Sequence, residues 1–255
     1  MSARVETPVA LVTGATSGIG RAGAVRLAGD GFHVLAAGRN AGRGAETVAQ
    51  CEAAGGTAEF LAFDVCEEPA WEQTMADIAR RFGRLDCLVN SAGIFFAKPL
   101  EATSLADFQT LWRADVESVF LGTKWAMRTM RDTGSAGSII NVSSLAGLIG
   151  LEDCSAYCPA KAAVTHFSKI AAVEAGSFDP PVRVNSLNPG VILTEMITGA
   201  YGDSPEVRAF VKDGNALDMV GEAHHVAAAI SFLAGAASRM ITGTAHVVDG
   251  GRGSD

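Results

Sequence analysis

A tyrosine and a lysine stand four positions apart in "SAYCPAK", residues 155–161. With about 3.6 residues per helical turn, Tyr157 and Lys161 share one face of any helix that holds them. A phenol beside an ammonium is an acid/base device. The phenol has a reference pKa near ~10, so taking a proton from an alcohol near neutral pH requires a positive charge nearby to stabilise the phenolate. An ordinary amphipathic helix face has the same spacing, so the pair alone defines a candidate. Pro159 lies between the two; with Ser155 as N-cap it falls near the first helical turn, where a missing N–H costs little.

A second constellation sits near the amino terminus. "TGATSGIG" (residues 13–20) places Gly14, Gly18 and Gly20 directly after an apolar run and at the start of a helical pattern. Glycines there permit a tight turn and a close approach of backbone to a pyrophosphate, while the helix start offers free N–H groups to it. Farther on, "AAGRN" has Gly38 where an NAD-preferring protein commonly places an acid for the ribose 2′-hydroxyl. Arg39 is next and suits a 2′-phosphate, because guanidinium and phosphate pair in a bidentate geometry. NADP(H) is therefore favoured, with NAD(H) as the alternative. Asp64 in "FDV" could accept from the adenine amino group, and Asn90 to Gly93 ("NSAG") ends a strand beside the same cleft.

Positioning these groups requires strands that end together and helices that begin where the strands end. Apolar, β-branched runs at 9–13, 33–38, 57–63, 85–90, 137–143, 182–187 and 244–249 read as strands. Stretches 18–29, 41–54, 67–82, 104–131 and 157–176 carry apolar residues at three-to-four spacing and read as helices. Strands apolar throughout, alternating with helices, imply a parallel sheet covered on both faces. No linker divides the chain, so 1–255 reads as a single domain. An irregular excursion around 194–221 carries scattered Gly, Asp and Pro, and such excursions often hold lids or substrate contacts.

The chain has 255 residues, of which 48% are hydrophobic, ample for a sizeable core. Its net charge of −8 comes from dispersed acids, and no Lys/Arg cluster suggests nucleic acid or an anionic membrane as partner. Only a four-residue apolar run precedes Thr13 and Gly14, too short for a signal peptide or a spanning helix, so a cytoplasmic location is expected. Cys51, Cys66, Cys87, Cys154 and Cys158 form no CxxC pair and leave an odd thiol, which fits reduced, packed side chains and no metal site.

Along the chain, "TGATSGIG", "DV", "NSAG", "INVSS", "YCPAK", "RVNSLNPG" with Thr194 following, and "VDGG" correspond in order to the landmarks of the short-chain dehydrogenase/reductase family. The chain resembles that family over nearly its whole length. The resemblance implies an α/β fold with a Rossmann-like, doubly wound, seven-stranded parallel sheet of order 3-2-1-4-5-6-7. It further implies hydride transfer at a nicotinamide, and frequently a homotetramer, so a homo-oligomer (tetramer or dimer) is expected. Residue by residue, it makes Tyr157 the acid/base, Lys161 its partner and the grip on the nicotinamide ribose, and Ser144 the hydroxyl that holds the substrate oxygen. Ser143 is the rival of Ser144, which the thirteen-residue spacing to Tyr157 favours. The cofactor-facing set becomes Gly14, Thr16, Ser17, Gly18, Ile19, Gly20, Arg39, Asp64, Val65, Asn90, Ala92, Gly93, Tyr157, Lys161, Pro189, Gly190, Ile192 and Thr194.

One position departs from the family. Where an asparagine usually helps hold a proton relay, "WRADVESVF" has Asp115. A carboxylate lacks the amide donor and adds a charge that could pair with Lys161 and weaken its effect on Tyr157; the other reading has it satisfying backbone groups within a long helix. Ser91 replaces a second common asparagine. The leading function is an NAD(P)-dependent oxidoreductase interconverting a secondary alcohol and a ketone. A dinucleotide-binding sensor or scaffold, and a 3-ketoacyl-thioester reductase, are the alternatives. Phe95, Phe96, Leu145, Leu148, Ile149 and Met196 are expected to line the pocket, which points to a small hydrophobic or cyclic alcohol.

Overall fold

The computed structural model describes residues 7–254. Residues 1–6, on which part of the reading of the amino terminus rests, and residue 255 lie outside the described residues. Strands β1 (Val9–Val12), β2 (His33–Gly38), β3 (Thr57–Ala62), β4 (Cys87–Asn90), β5 (Ser138–Val142) and β6 (Arg183–Pro189) join a last strand, β9 (Ala245–Val248), in one parallel sheet. Its order is β3-β2-β1-β4-β5-β6-β9. This is the doubly wound order expected from the sequence. The seventh strand is numbered nine because β7 (Ile192–Leu193) and β8 (Gly221–Glu222), two residues each, pair with one another outside the main sheet.

The strands are apolar throughout because both faces are covered. In β1, Ala10 and Val12 point into a core built with α1 (Gly18–Gly29), α2 (Ala41–Ala53) and α9 (Ala223–Ala234), against Leu27, Cys51, Val226 and Ile230. Val9 and Leu11 point the other way, toward Trp71, Met75 and Ile78 of α3 (Glu68–Phe82), Met130 of α5 (Ser118–Asp132) and Ala171 of α6 (Tyr157–Ala175). A smaller cluster of Leu111, Ala156 and Ala160 joins α4 (Leu105–Trp112) to α6 beside Tyr157.

Two expectations need correction. The stretch 104–131 is not one α-helix. Between α4 and α5, residues Arg113–Glu117 widen into a π-helical segment that turns Asp115 inward, where it is fully buried. Apolar spacing does not register such a change because Ala114 and Val116 continue the pattern, and π-helical turns commonly mark functional positions. Nor does Ser155 cap α6. The N-cap position is Ala156 without a side-chain bond, and Ser155 Oγ lies 3.3 Å from Thr103 Oγ1. Pro159 does fall in the first turn. The excursion after β6 folds into two short helices, α7 (Glu195–Tyr201) and α8 (Pro205–Lys212).

Candidate active site

Parallel strands all end on one side of the sheet, and the loops there surround a cleft of about 330 Å³. The glycine-rich turn forms its floor. Gly14 has φ +64°, and a Cβ there would stand 2.8 Å from Ala92 N and Ser91 O, so the turn packs backbone against backbone on the end of β4. Side chains outside the motif hold the turn in place. Thr13 Oγ1 accepts from Ser91 N (3.0 Å) and Ala92 N (3.2 Å), Arg21 donates to Thr16 O (2.6 Å), and buried Thr47 donates to Ala15 O (2.8 Å). The motif reading missed Arg21 and Thr47, which look like ordinary helix residues in the sequence.

The turn also binds an oxyanion already. Glu195 Oε2, from the start of α7, accepts from Gly18 N at 3.0 Å, on the first residue of α1. A carboxylate there stands in for a phosphate oxygen, so the residues present fit the pyrophosphate of a dinucleotide.

Of the cofactor residues expected, Gly14, Thr16, Ser17, Gly18, Ile19, Gly20, Arg39, Asp64, Val65, Ala92, Gly93, Tyr157, Lys161 and Thr194 line this cleft. Asn90, Pro189, Gly190 and Ile192 do not. Asn90 is buried behind it, donating to Asn141 Oδ1 at 2.9 Å, Gly190 N donates to Val248 O at 3.0 Å, and Ile192 belongs to the core. Motif membership places a residue near a strand end without saying which way it points. Asp64 Oδ1 accepts from Cys66 N at 2.9 Å and shapes its loop. Arg39 is exposed at the cleft and, among the described residues, has no ion-pair partner. At Gly38 any Cβ would stand 2.6 Å from Thr16 Cγ2, so an acid has no room there without moving Thr16.

Helix α6 carries Tyr157 and Lys161 into the same cleft, with Lys161 Nζ 5.5 Å from the Tyr157 ring centre. Lys161 is buried and pairs with Asp115 Oδ2 at 2.9 Å, while Asp115 Oδ1 accepts from Ile94 N at 2.8 Å. The carboxylate thus pairs with the lysine and also satisfies a backbone group, of the loop after β4 rather than of its own helix. The Ser144 side chain lowers the pKa of the Tyr157 hydroxyl, and its Oγ accepts from Ala146 N at 3.1 Å. Ser143 is the serine that lines the cleft, but its hydroxyl is engaged elsewhere. Its hydroxyl donates to Lys161 O (2.8 Å) and meets Thr165 Oγ1 (2.8 Å), fixing the lysine's backbone. Asn188 does the same for Ser144, donating to its carbonyl at 2.9 Å. Asn188 sat unmarked inside "RVNSLNPG".

Burial pushes the Tyr157 hydroxyl above its usual pKa, with Asp115 adding to the rise, and these outweigh the lowering by Lys161 and Ser144. For Lys161, burial pulls down, but Asp115 and Tyr157 more than compensate and hold the ammonium above its usual value. On the substrate side, Phe95 meets the Tyr157 ring edge-on at 5.0 Å and Met196 lines the cleft. Phe96 instead packs on the Leu111 cluster, Leu145 is buried, and Leu148 and Ile149 are exposed.

This architecture is that of the doubly wound, dinucleotide-binding oxidoreductases. More narrowly, the chain belongs to the short-chain dehydrogenase/reductase family: residues 14–252 match the member family described as "Enoyl-(Acyl carrier protein) reductase". It is 37% identical over 248 residues to a cyclopentanol dehydrogenase of Comamonas sp. (strain NCIMB 9872), covering 97% of this chain and 98% of that one. It is 33% identical to an NADP-dependent (R)-specific alcohol dehydrogenase of Lentilactobacillus kefiri, with 98% of both covered. The crystal structure of levodione reductase superposes with a TM-score of 0.90 at 30% identity, covering 97% of this chain and 98% of that one. The protein is an oxidoreductase of the family that acts on alcohols. No helix among the described residues is long and apolar enough to cross a membrane.

Proposed function

We propose that the chain interconverts an apolar, preferably cyclic, secondary alcohol and its ketone, with NADP(H) favoured over NAD(H). The observation that carries this reading is the convergence of Tyr157 and Lys161 at a cleft whose glycine turn already binds a carboxylate oxygen, with the Ser144 side chain acting on the Tyr157 phenol. The Gly18 N–H and the neighbouring glycine turn would hold the pyrophosphate, Arg39 the 2′-phosphate, and Lys161 the nicotinamide ribose. When bound, the dinucleotide accepts or donates the hydride and, oxidised, adds a positive charge near the phenol.

The chain's own groups manage the proton. Ser144 donates its hydroxyl hydrogen to the substrate oxygen and fixes it near Tyr157. In oxidation, Tyr157 Oη takes the alcohol proton as the carbonyl forms; in reduction it returns it. Lys161 lowers the cost of the phenolate electrostatically, and Asp115 offsets part of that help. Phe95 and Met196 offer an apolar surface to the carbon skeleton, which supports a hydrophobic substrate, and the cyclic alcohol named for the Comamonas relative points the same way.

The test is to incubate purified protein with NADP⁺ or NAD⁺ and a panel of cyclic and linear secondary alcohols plus a 3-hydroxyacyl thioester, following the absorbance of reduced nicotinamide. Cyclic alcohols should turn over fastest, and NADP⁺ should bind the tighter. Preference for the thioester would replace the substrate reading, and tighter binding of NAD⁺ would remove the role given to Arg39.

A further inference from the structure

The excursion that roofs the substrate side is weakly rooted. Among its described residues α7 buries no side chain, and α8 buries only Val207 and Val211. Yet its aromatic rings run as an unbroken line to the phenol. Phe210 of α8 meets Tyr201 of α7 at 5.9 Å between ring centres, Tyr201 meets Phe95 at 6.1 Å, and Phe95 meets Tyr157 edge-on at 5.0 Å. The outer end of the line is held by the carboxyl-terminal tail. The Arg252 guanidinium lies over the Phe210 ring, 5.5 Å from its centre, and Nη1 donates to the carbonyls of Phe210 (3.5 Å) and Asp213. Those carbonyls belong to the last turn of α8 and the residue that ends it, where helix acceptors lack partners and a cation suits the helix dipole. The tail is itself braced: Asp249 accepts from Gly251 N and Gly253 N, both at 2.8 Å, and Leu217 N donates to Gly250 O at 3.1 Å.

We propose that Arg252 is a positioning residue for substrate selection, which holds Phe210 and Tyr201 so that Tyr201 and Phe95 form a fixed aromatic wall beside Tyr157. The proposal rests on the alcohol-oxidoreductase reading above and deepens it. A fixed wall of ring faces and edges favours compact alicyclic alcohols, which pack against it, over flexible linear ones of equal carbon number. Arg252 acts through other side chains, so its loss weakens the fit of the substrate and leaves proton transfer and cofactor binding in place.

The experiment compares wild type with Arg252→Ala and Arg252→Lys. Backbone hydrogen exchange of residues 195–212 is read in the cofactor-free protein, the cofactor dissociation constant by titration, and kcat and KM for cyclic and linear secondary alcohols of matched size. For Arg252→Ala we expect faster exchange confined to the excursion, unchanged cofactor affinity, kcat within about twofold, and a KM raised about 3–10-fold for cyclic alcohols but not for linear ones. Arg252→Lys keeps the cation over the ring and should recover part of the loss. Unchanged exchange would show that Arg252 does not hold the excursion. Faster exchange with unaltered KM, or an equal rise for both alcohol classes, would overturn the selective wall. A wild type inert toward every alcohol would overturn the parent reading and the substrate half of this one, while the exchange comparison, made without substrate, still decides the Arg252 contact.

Discussion

Asp115 brings a second buried charge to the phenol and its lysine. Its carboxylate sits 2.9 Å from Lys161 Nζ and raises the Tyr157 pKa, opposing the ammonium. Asp115→Asn removes that charge and lowers the phenol's pKa, so the rising limb of alcohol oxidation should move to lower pH. A pH–rate profile of both proteins checks this; superimposable curves would return Asp115 to supporting Ile94 N alone. Asparagine is the better probe than alanine, because its amide oxygen can still accept from Ile94 N, whereas alanine would leave that donor without its acceptor at a cost of about 1–3 kcal/mol and confound the rate. Tyr157 and Lys161 stood out in the sequence as a candidate pair because the helical repeat puts them on one face, and the family resemblance supplied their roles. The pairing of Asp115 with Lys161 was one of two readings the sequence left open, and the locally widened turn that brings the two residues together was not visible in it.

That widened turn belongs to the element scale, where the segment Arg113–Glu117 and the start of α7 do the positioning. Periodicity placed most elements to within a few residues, because strands buried on both faces and helices buried on one leave strong patterns. It could not see a widened turn, which keeps the apolar spacing, nor the small helices α7 and α8, which at seven and eight residues are too short for a repeat to stand out. Helix α7 also sets Glu195 on the amino end of α1. A negative charge there competes with pyrophosphate for the same N–H and the same helix dipole. Glu195→Gln should therefore bind the dinucleotide about 3–10-fold more tightly, as read by fluorescence titration of the reduced cofactor. Equal or weaker binding would show that the carboxylate and the phosphates do not share the position.

For the whole molecule, the order of the seven-stranded sheet brings β1, β4, β5 and β6 to the centre, so the oxyanion turn, the Ser144 loop and the foot of α6 meet over adjacent strand ends. This much followed from the alternation of strands and helices and from the ordered landmarks along the chain. The polar network beneath did not: Asn141 bridges Asn90 and Ser168, and Asn188 bridges Ser144 and Thr165, each pairing set by three-dimensional neighbours rather than by spacing. The central claim is that this assembly moves a proton through the Tyr157 oxygen. Tyr157→Phe deletes that oxygen and keeps the ring on Phe95, so steady-state oxidation of a cyclic alcohol, measured beside cofactor titration, tests it most directly. The account predicts kcat reduced at least about 100-fold with the cofactor dissociation constant within about twofold of wild type. A variant that retains activity within about threefold of wild type would contradict it.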